Sequence, residues 1–138
     1  MILIINTANE TKVFIALISD TKLIFQKSFS APFRQAEKLL VAIDKMLVST
    51  KASLPDLKGV AVVAGPGPFT ALRIGVVTAN TLAWSLKIPV VDIKMNEFRG
   101  NDDLAALATK KIKVQKKRGI VLPFYGKEPN ITKKKSSA

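Results

Sequence analysis

The residues best suited to bind a ligand lie in a glycine- and proline-rich stretch in the middle of the chain, residues 65–75. Gly65 and Gly67 can adopt backbone angles closed to other residues and allow another group to approach closely. A turn of this kind between a strand and a helix could hold a phosphate through successive backbone N–H groups. Pro66 and Pro68, however, fix φ and remove two of those donors. The stretch therefore predicts a rigid turn that is a poor phosphate cradle.

The composition excludes several kinds of catalysis. The chain has no cysteine and no histidine, which removes thiolate nucleophiles, Cys/His metal sites and imidazole acid–base chemistry. Ser28, Ser30 and Ser85 therefore have no imidazole to activate them. Asp20, Asp44 and Asp56 lie in predicted turns or on exposed helix faces, and they form no evident pair for acid–base work. Asp92 lies at a predicted strand end, where a functional acid could sit, but a single carboxylate supports little. We expect no catalytic residue, no metal and no cofactor.

Segments on both sides of the turn predict one α/β domain. Residues 2–6, 12–19 and 22–29 are short runs rich in β-branched and aromatic residues, which is typical of an antiparallel meander. The later segments alternate in period: a helix from residue 32 to 49, a strand at 59–64, a helix at 70–86 and a strand at 90–93. A strand–helix–strand passage gives parallel strands with a right-handed crossover. The order predicts a mixed five-stranded sheet with packed helices.

The pattern weakens after residue 93. Residues 102–109 could form a short helix with Asp102 or Asp103 near its start, whereas residues 111–118 form an alternating or simply basic segment. Residues 120–125 are too apolar for a free tail, so we expect them to lie against the domain.

The helix predicted after the turn is apolar on two sides. At about 100° per residue, the side expected to pack on the sheet carries Leu72, Gly75, Val76, Ala79, Leu82, Ala83 and Leu86. The opposite side carries Thr70, Ile74, Val77, Thr81 and Trp84, with Arg73 at its edge. Such a helix lies inside a larger protein or is shared with a partner, and Trp and Arg often anchor interfaces. We predict a protein–protein interface; the alternative is that the first helix or residues 122–125 cover this side.

The formal charge of +12 favours anionic partners such as RNA. The residues that could contact RNA are Lys110, Lys111, Lys113, Lys116, Lys117 and Arg118. The alternative is a solvated lysine surface, because aromatic residues that could stack on bases are not interleaved with these cations. Charged or polar residues break every apolar run before membrane length, and the chain starts without a basic leader. We expect a cytoplasmic protein that does not bind membranes.

Residues 65–75 resemble the signature Gly-Pro-Gly-Ser-Phe-Thr-Gly-Leu-Arg-Ile-Gly of the TsaB (YeaZ) family. Pro68 replaces the serine of that signature and Ala71 its third glycine. The resemblance extends over residues 1–93, although Asn6 stands where the family usually has aspartate. Residues 122–129 are similar, less closely, to the family's Pro-x-Tyr-x-Arg-Pro element.

This resemblance implies the fold of the actin-like ATPase, or ribonuclease H-like, superfamily. Members of the family usually carry a second lobe of similar size, so the chain resembles a shortened member. We divide it into an actin-like lobe (1–93), a reduced C-terminal remnant packed on that lobe (94–131) and a disordered basic tail (132–138).

The resemblance also implies a function. TsaB proteins are inactive paralogues of the catalytic subunit TsaD and support modification of tRNA to N6-threonylcarbamoyladenosine at position 37. The expected direct partner is a TsaD-like subunit, and a TsaE-like ATPase and tRNA are expected to join through that complex. Homodimerisation through the same surface would compete with docking of the TsaD-like subunit. The interface would comprise Ala36, Leu40, Phe69, Thr70, Arg73, Ile74, Val77, Thr81 and Trp84.

Two other functions stay open. Active members of the superfamily bind nucleotide with such loops, and an acidic residue after the first strand helps to hold the metal; here Asn6 lacks that charge. The weak candidates for a nucleotide site are Asn6, Thr7, Gly65, Gly67 and Thr70. The alternatives are a small nucleotide-dependent ATPase or phosphotransferase and a basic RNA-binding module.

Overall fold

A computed structural model describes residues 1–9, 11–31, 35–115 and 119–125, which form a five-stranded sheet with helices on both faces. The strands are β1 (Ile2–Asn6), β2 (Lys12–Ser19), β3 (Lys22–Ser30), β4 (Gly59–Gly65) and β5 (Val90–Lys94). The α-helices are α1 (Gln35–Ser49), α2 (Phe69–Leu86) and α3 (Asn101–Val114), and single 3₁₀ turns lie at Leu54–Asp56 and Met95–Glu97. None of the described helices is long and apolar enough to cross a membrane.

The strands lie in the order β3-β2-β1-β4-β5. β1, β2 and β3 pair antiparallel, which confirms the meander, and β4 lies parallel to both β1 and β5. Every residue of β4 is buried, as expected for a central parallel strand covered on both faces. Because β1, β4 and β5 run in the same direction, their carboxyl ends meet at one edge of the sheet.

The two faces of the sheet carry separate hydrophobic clusters. Leu3 and Ile5 of β1 point to the side covered by α1 and α2, and Ile4 between them points to the side covered by α3. This alternation follows from the two-residue period of a strand. The same rule assigns Val62 of β4 to the first cluster and Val63 to the second.

The third helix is longer than the sequence indicated. α3 runs to Val114, so the segment predicted as alternating or simply basic, residues 111–118, is helical over its first four residues. Leu104, Ala108 and Ile112 follow one another at helical spacing and all pack against the α3 side of the sheet. Aspartates in the first turn and lysines in the last turn also complement the helix dipole. The remaining basic residues, 116–118, and the predicted tail, 132–138, lie outside the described residues.

Candidate functional site

Helix α2 separates a buried side from an exposed side, as the sequence predicted. Its buried residues are Ala71, Leu72, Gly75, Val76, Ala79 and Ala83. On the opposite side, the exposed fractions are 81% for Trp84, 60% for Val77 and 58% for Phe69. Within the described part of the chain, Val77 and Trp84 are open to solvent, whereas Tyr125 covers part of the Phe69 ring.

Helix α1 extends this surface. An open groove of about 320 Å³ between the two helices is lined by Ala36, Thr70, Arg73, Ile74, Val77 and Thr78. Leu40, one turn after Ala36, is 56% exposed. We call the following set the exposed helical face: Ala36, Leu40, Phe69, Thr70, Arg73, Ile74, Val77, Thr81 and Trp84. All of its members are exposed except Ile74, which is half-buried against the core.

The loops after β1 and β4 meet at the edge where the strands end. A Cβ atom added to Gly67 would lie 2.9 Å from the Cα atom of Ala8, so the two loops are in direct backbone contact. The side chain of Asn6 is engaged within its own loop, where its Oδ1 accepts a hydrogen bond of 2.9 Å from the N–H of Ala8. A phosphate could enter between these loops only if they moved apart.

Thr7 fastens the β1 loop beneath α2. Its side chain is fully buried, and its Oγ1 donates a hydrogen bond of 2.5 Å to the carbonyl oxygen of Ala71. Gly75 lies directly above it, because a Cβ there would be 3.2 Å from the Cγ2 of Thr7. Of the weak nucleotide-site candidates, Asn6, Thr7, Gly65 and Gly67 therefore come together, whereas Thr70 lies on the exposed helical face.

Residues 119–125, which we call the strap, cross the end of β4. The side chain of Asn80 in α2 forms two hydrogen bonds with the backbone of Val121. Its Nδ2 donates to the Val121 carbonyl oxygen at 2.9 Å, and its Oδ1 accepts from the Val121 N–H at 2.8 Å. The N–H of Phe124 donates to the carbonyl of Ala64 at 2.7 Å. Gly65, at φ +133°, has no room for a Cβ because the Phe124 carbonyl oxygen occupies that space. The strap is thus packed on the domain, as the sequence predicted.

Two aromatic residues of the strap contact the ends of α2 and β5. The ring of Tyr125 stacks on Phe69 with centroids 4.2 Å apart and planes inclined by 16°. The ammonium group of Lys94, at the end of β5, lies 4.9 Å from the centre of the Phe124 ring. The sequence did not predict these contacts or the two hydrogen bonds between Asn80 and Val121. The available signal was a single amide side chain in the middle of an apolar helix.

Two carboxylates outside this region have lowered pKa values. The backbone N–H of Lys94, at 2.8 Å, lowers the pKa of Glu97 below its usual 4.5. Burial opposes this shift, and the side chain of Lys111, at 3.0 Å, lowers the pKa further. The backbone N–H of Ser53, at 2.8 Å, likewise lowers the pKa of Asp56. Both carboxylates cap 3₁₀ turns, so their role is structural.

The predicted RNA-contacting cations are only partly available. Lys110 and Lys113 are exposed on α3. Lys111 instead donates to Glu97 and, at 2.8 Å, to the carbonyl oxygen of Asp92. Lys116, Lys117 and Arg118 lie outside the described residues. RNA contact by this group stays a prediction.

Comparisons with known proteins agree with the arrangement. Residues 31–98 match the family model described as TsaD, tRNA N6-adenosine threonylcarbamoyltransferase. The tRNA threonylcarbamoyladenosine biosynthesis protein TsaB of Buchnera aphidicola subsp. Schizaphis graminum is 35% identical over 106 residues, which cover 77% of this chain and 47% of that protein. TsaB of Bacillus subtilis is 36% identical over 89 residues, covering 64% and 38% respectively. The chain thus spans less than half the length of these curated relatives.

A solved structure supports the same assignment. YeaZ from Pseudomonas aeruginosa superposes with a TM-score of 0.62 at 26% identity, covering 67% of this chain and 44% of that one. Together with the strand order, this likeness defines an actin-like ATPase lobe of the ribonuclease H-like class, which confirms the predicted fold. Within that class, the chain belongs to the TsaB (YeaZ) family.

Proposed function

We propose that this chain is a non-catalytic partner subunit of the machinery that makes N6-threonylcarbamoyladenosine at position 37 of tRNA. It docks on a TsaD-like catalytic subunit through the exposed helical face, and a TsaE-like ATPase and tRNA join through the complex. The names of its relatives and the TsaD family model over residues 31–98 support this pathway. Docking would act by favouring the catalytically competent arrangement of the neighbour.

The observation that carries the proposal is the exposure of apolar side chains along α1 and α2. Trp84, Val77, Phe69 and Leu40 are each more than half exposed. Large apolar side chains clustered on one surface mark an interaction site, because water contact with them is unfavourable. Arg73 adds a residue type that often anchors interfaces.

The strand ends support a non-catalytic role. The loops after β1 and β4 touch through Ala8 and Gly67, and the strap covers the end of β4. Pro66 and Pro68 offer no N–H group to a phosphate. A nucleotide would therefore have to separate packed loops and displace the strap, which disfavours the ATPase or phosphotransferase alternative.

The first experiment is co-purification with the TsaD-like protein of the same organism, followed by light scattering. The wild-type chain should form a stable complex. Trp84→Ala should weaken docking by about 2 kcal/mol or more, or roughly thirtyfold, since a buried tryptophan anchor typically contributes that much. The matched control is Ile24→Ala, which removes a side chain that is 44% exposed on the edge strand β3.

The outcomes separate the alternatives. Unchanged melting of Trp84→Ala with lost docking supports the proposal, whereas unaltered docking contradicts it. A homodimer of the isolated chain that dissociates when the TsaD-like subunit is added would indicate that both partners use the same face. Calorimetric titration with Mg-ATP should give no binding heat, and tight binding would favour the enzyme instead.

A further inference from the structure

Phe69 belongs to two surfaces at once. It is the first residue of α2 and 58% exposed on the exposed helical face, and its ring also stacks on Tyr125 of the strap. The stack on Tyr125 contacts this ring directly and therefore restrains its orientation.

The strap can supply that restraint because it is fixed on the domain at two points. Asn80 holds Val121 by two hydrogen bonds, and Ala64 holds Phe124 by one. Val121 is 6% exposed and packs in the cluster beneath α1 and α2. With these anchors in place, the position of Tyr125 over Phe69 is set by the domain.

We propose that the strap is a third element of the docking surface, in which Tyr125 orients Phe69 and contacts the partner beside it. This rests on the proposed function, since the partner is the TsaD-like subunit. The surface then continues from α2 over the Phe69–Tyr125 pair. Tyr125 is half-buried, so part of its side chain is open to such a contact. Pre-orienting an aromatic anchor favours binding because its side-chain entropy is lost before the partner arrives.

The charges around the aromatic pair define the chemistry of the partner. Arg73 lies 5.8 Å from the centre of the Phe69 ring, and Lys94 lies beside Phe124. Within the described part of the chain, Arg73 forms no ion pair with a carboxylate, whereas the charge of Lys94 interacts with the carboxylate of Glu97. The complementary surface is an apolar side chain placed against the rings with an acidic residue facing Arg73.

The test compares binding of the TsaD-like subunit to wild type, Tyr125→Ala and Tyr125→Phe by calorimetry. Loss of the stack should weaken binding by about three- to tenfold, the range of an aromatic pair. Tyr125→Phe keeps the ring and should bind within about twofold of wild type. Ile24→Ala again serves as the control, and melting curves show whether each variant is folded.

A second measurement needs no variant. Hydrogen exchange of the wild-type strap amides should slow when the TsaD-like subunit binds, and unchanged exchange would overturn the proposal. If wild type does not bind at all, the proposed function fails, and the strap's role fails with it. If wild type binds and folded Tyr125→Ala binds equally well, only the role of the strap is refuted.

Discussion

Replacing Gly75 by alanine should destabilise this protein, although the same change stabilises most helices. Alanine is favoured over glycine by about 1 kcal/mol in a helix interior. In α2, however, the new Cβ would lie 3.2 Å from the Cγ2 and 3.3 Å from the Cβ of Thr7, and closer still to its Oγ1. Thr7 is fully buried and donates to the carbonyl of Ala71. It can yield only by losing that bond or by moving the β1 loop.

The balance of these effects gives the magnitude. Overpacking by one methyl group in a dense interior costs about 1–3 kcal/mol. Loss of the Thr7 hydrogen bond would add about 1 kcal/mol, which offsets the gain in helix propensity of similar size. We therefore expect Gly75→Ala to lower the free energy of unfolding by about 1–3 kcal/mol. For a domain of this length, the melting temperature should fall by roughly 4–12 °C.

Urea and thermal unfolding, followed by circular dichroism, measure this change. The matched control is Gly119→Ala, because a Cβ at Gly119 would meet no heavy atom within 4 Å. Thr7→Ala removes the two closest atoms, Oγ1 and Cγ2, and leaves only the Cβ at 3.3 Å. In that background Gly75→Ala should cost much less stability, with a coupling of about 1–3 kcal/mol between the two sites. A single variant Gly75→Ala that melts at or above wild type would refute the reasoning.

Three further predictions follow from the same packing. Asn80→Ala removes both side-chain hydrogen bonds to Val121, so the free energy of unfolding measured in urea should fall by about 1–3 kcal/mol and the strap amides should exchange faster. Unchanged exchange would show that these two bonds do not hold the strap on the domain. Gly67→Ala should destabilise, since its Cβ would lie 2.9 Å from the backbone of Ala8, and wild-type stability would mean that the loops separate easily. Because the pKa of Glu97 is lowered in the folded protein, its charged form adds to the free energy of unfolding above pH 4.5, and this contribution is lost as the pH falls through the pKa of the folded state. Glu97→Gln should therefore lose less unfolding free energy than wild type between neutral pH and about pH 3. The difference should be under about 1 kcal/mol, because the group is largely exposed.

The sequence by itself determined the order of elements and the two sides of α2. The meander follows from short β-branched runs separated by turns, and the burial of β4 follows from its continuous apolar run. The helical period likewise placed Val77 and Trp84 opposite the core, and both are exposed. These features are local, so they can be read from neighbouring residues. The partner interface, its residues and the division at residue 93 stay predictions.

The tertiary structure alone decided how distant residues close the strand ends. Contact between Ala8 and Gly67 and the stack of Tyr125 on Phe69 join segments far apart in the chain, and no local period encodes them. The length of α3 was also decided by tertiary packing, because Ile112 in its last turn packs against the sheet. Packing between separated segments overrides local preference because a weak local signal is small beside the free energy of burying a side chain. In the candidate site, the exposed helical face follows from a local sequence pattern, whereas the position of the strap depends on contacts between distant segments.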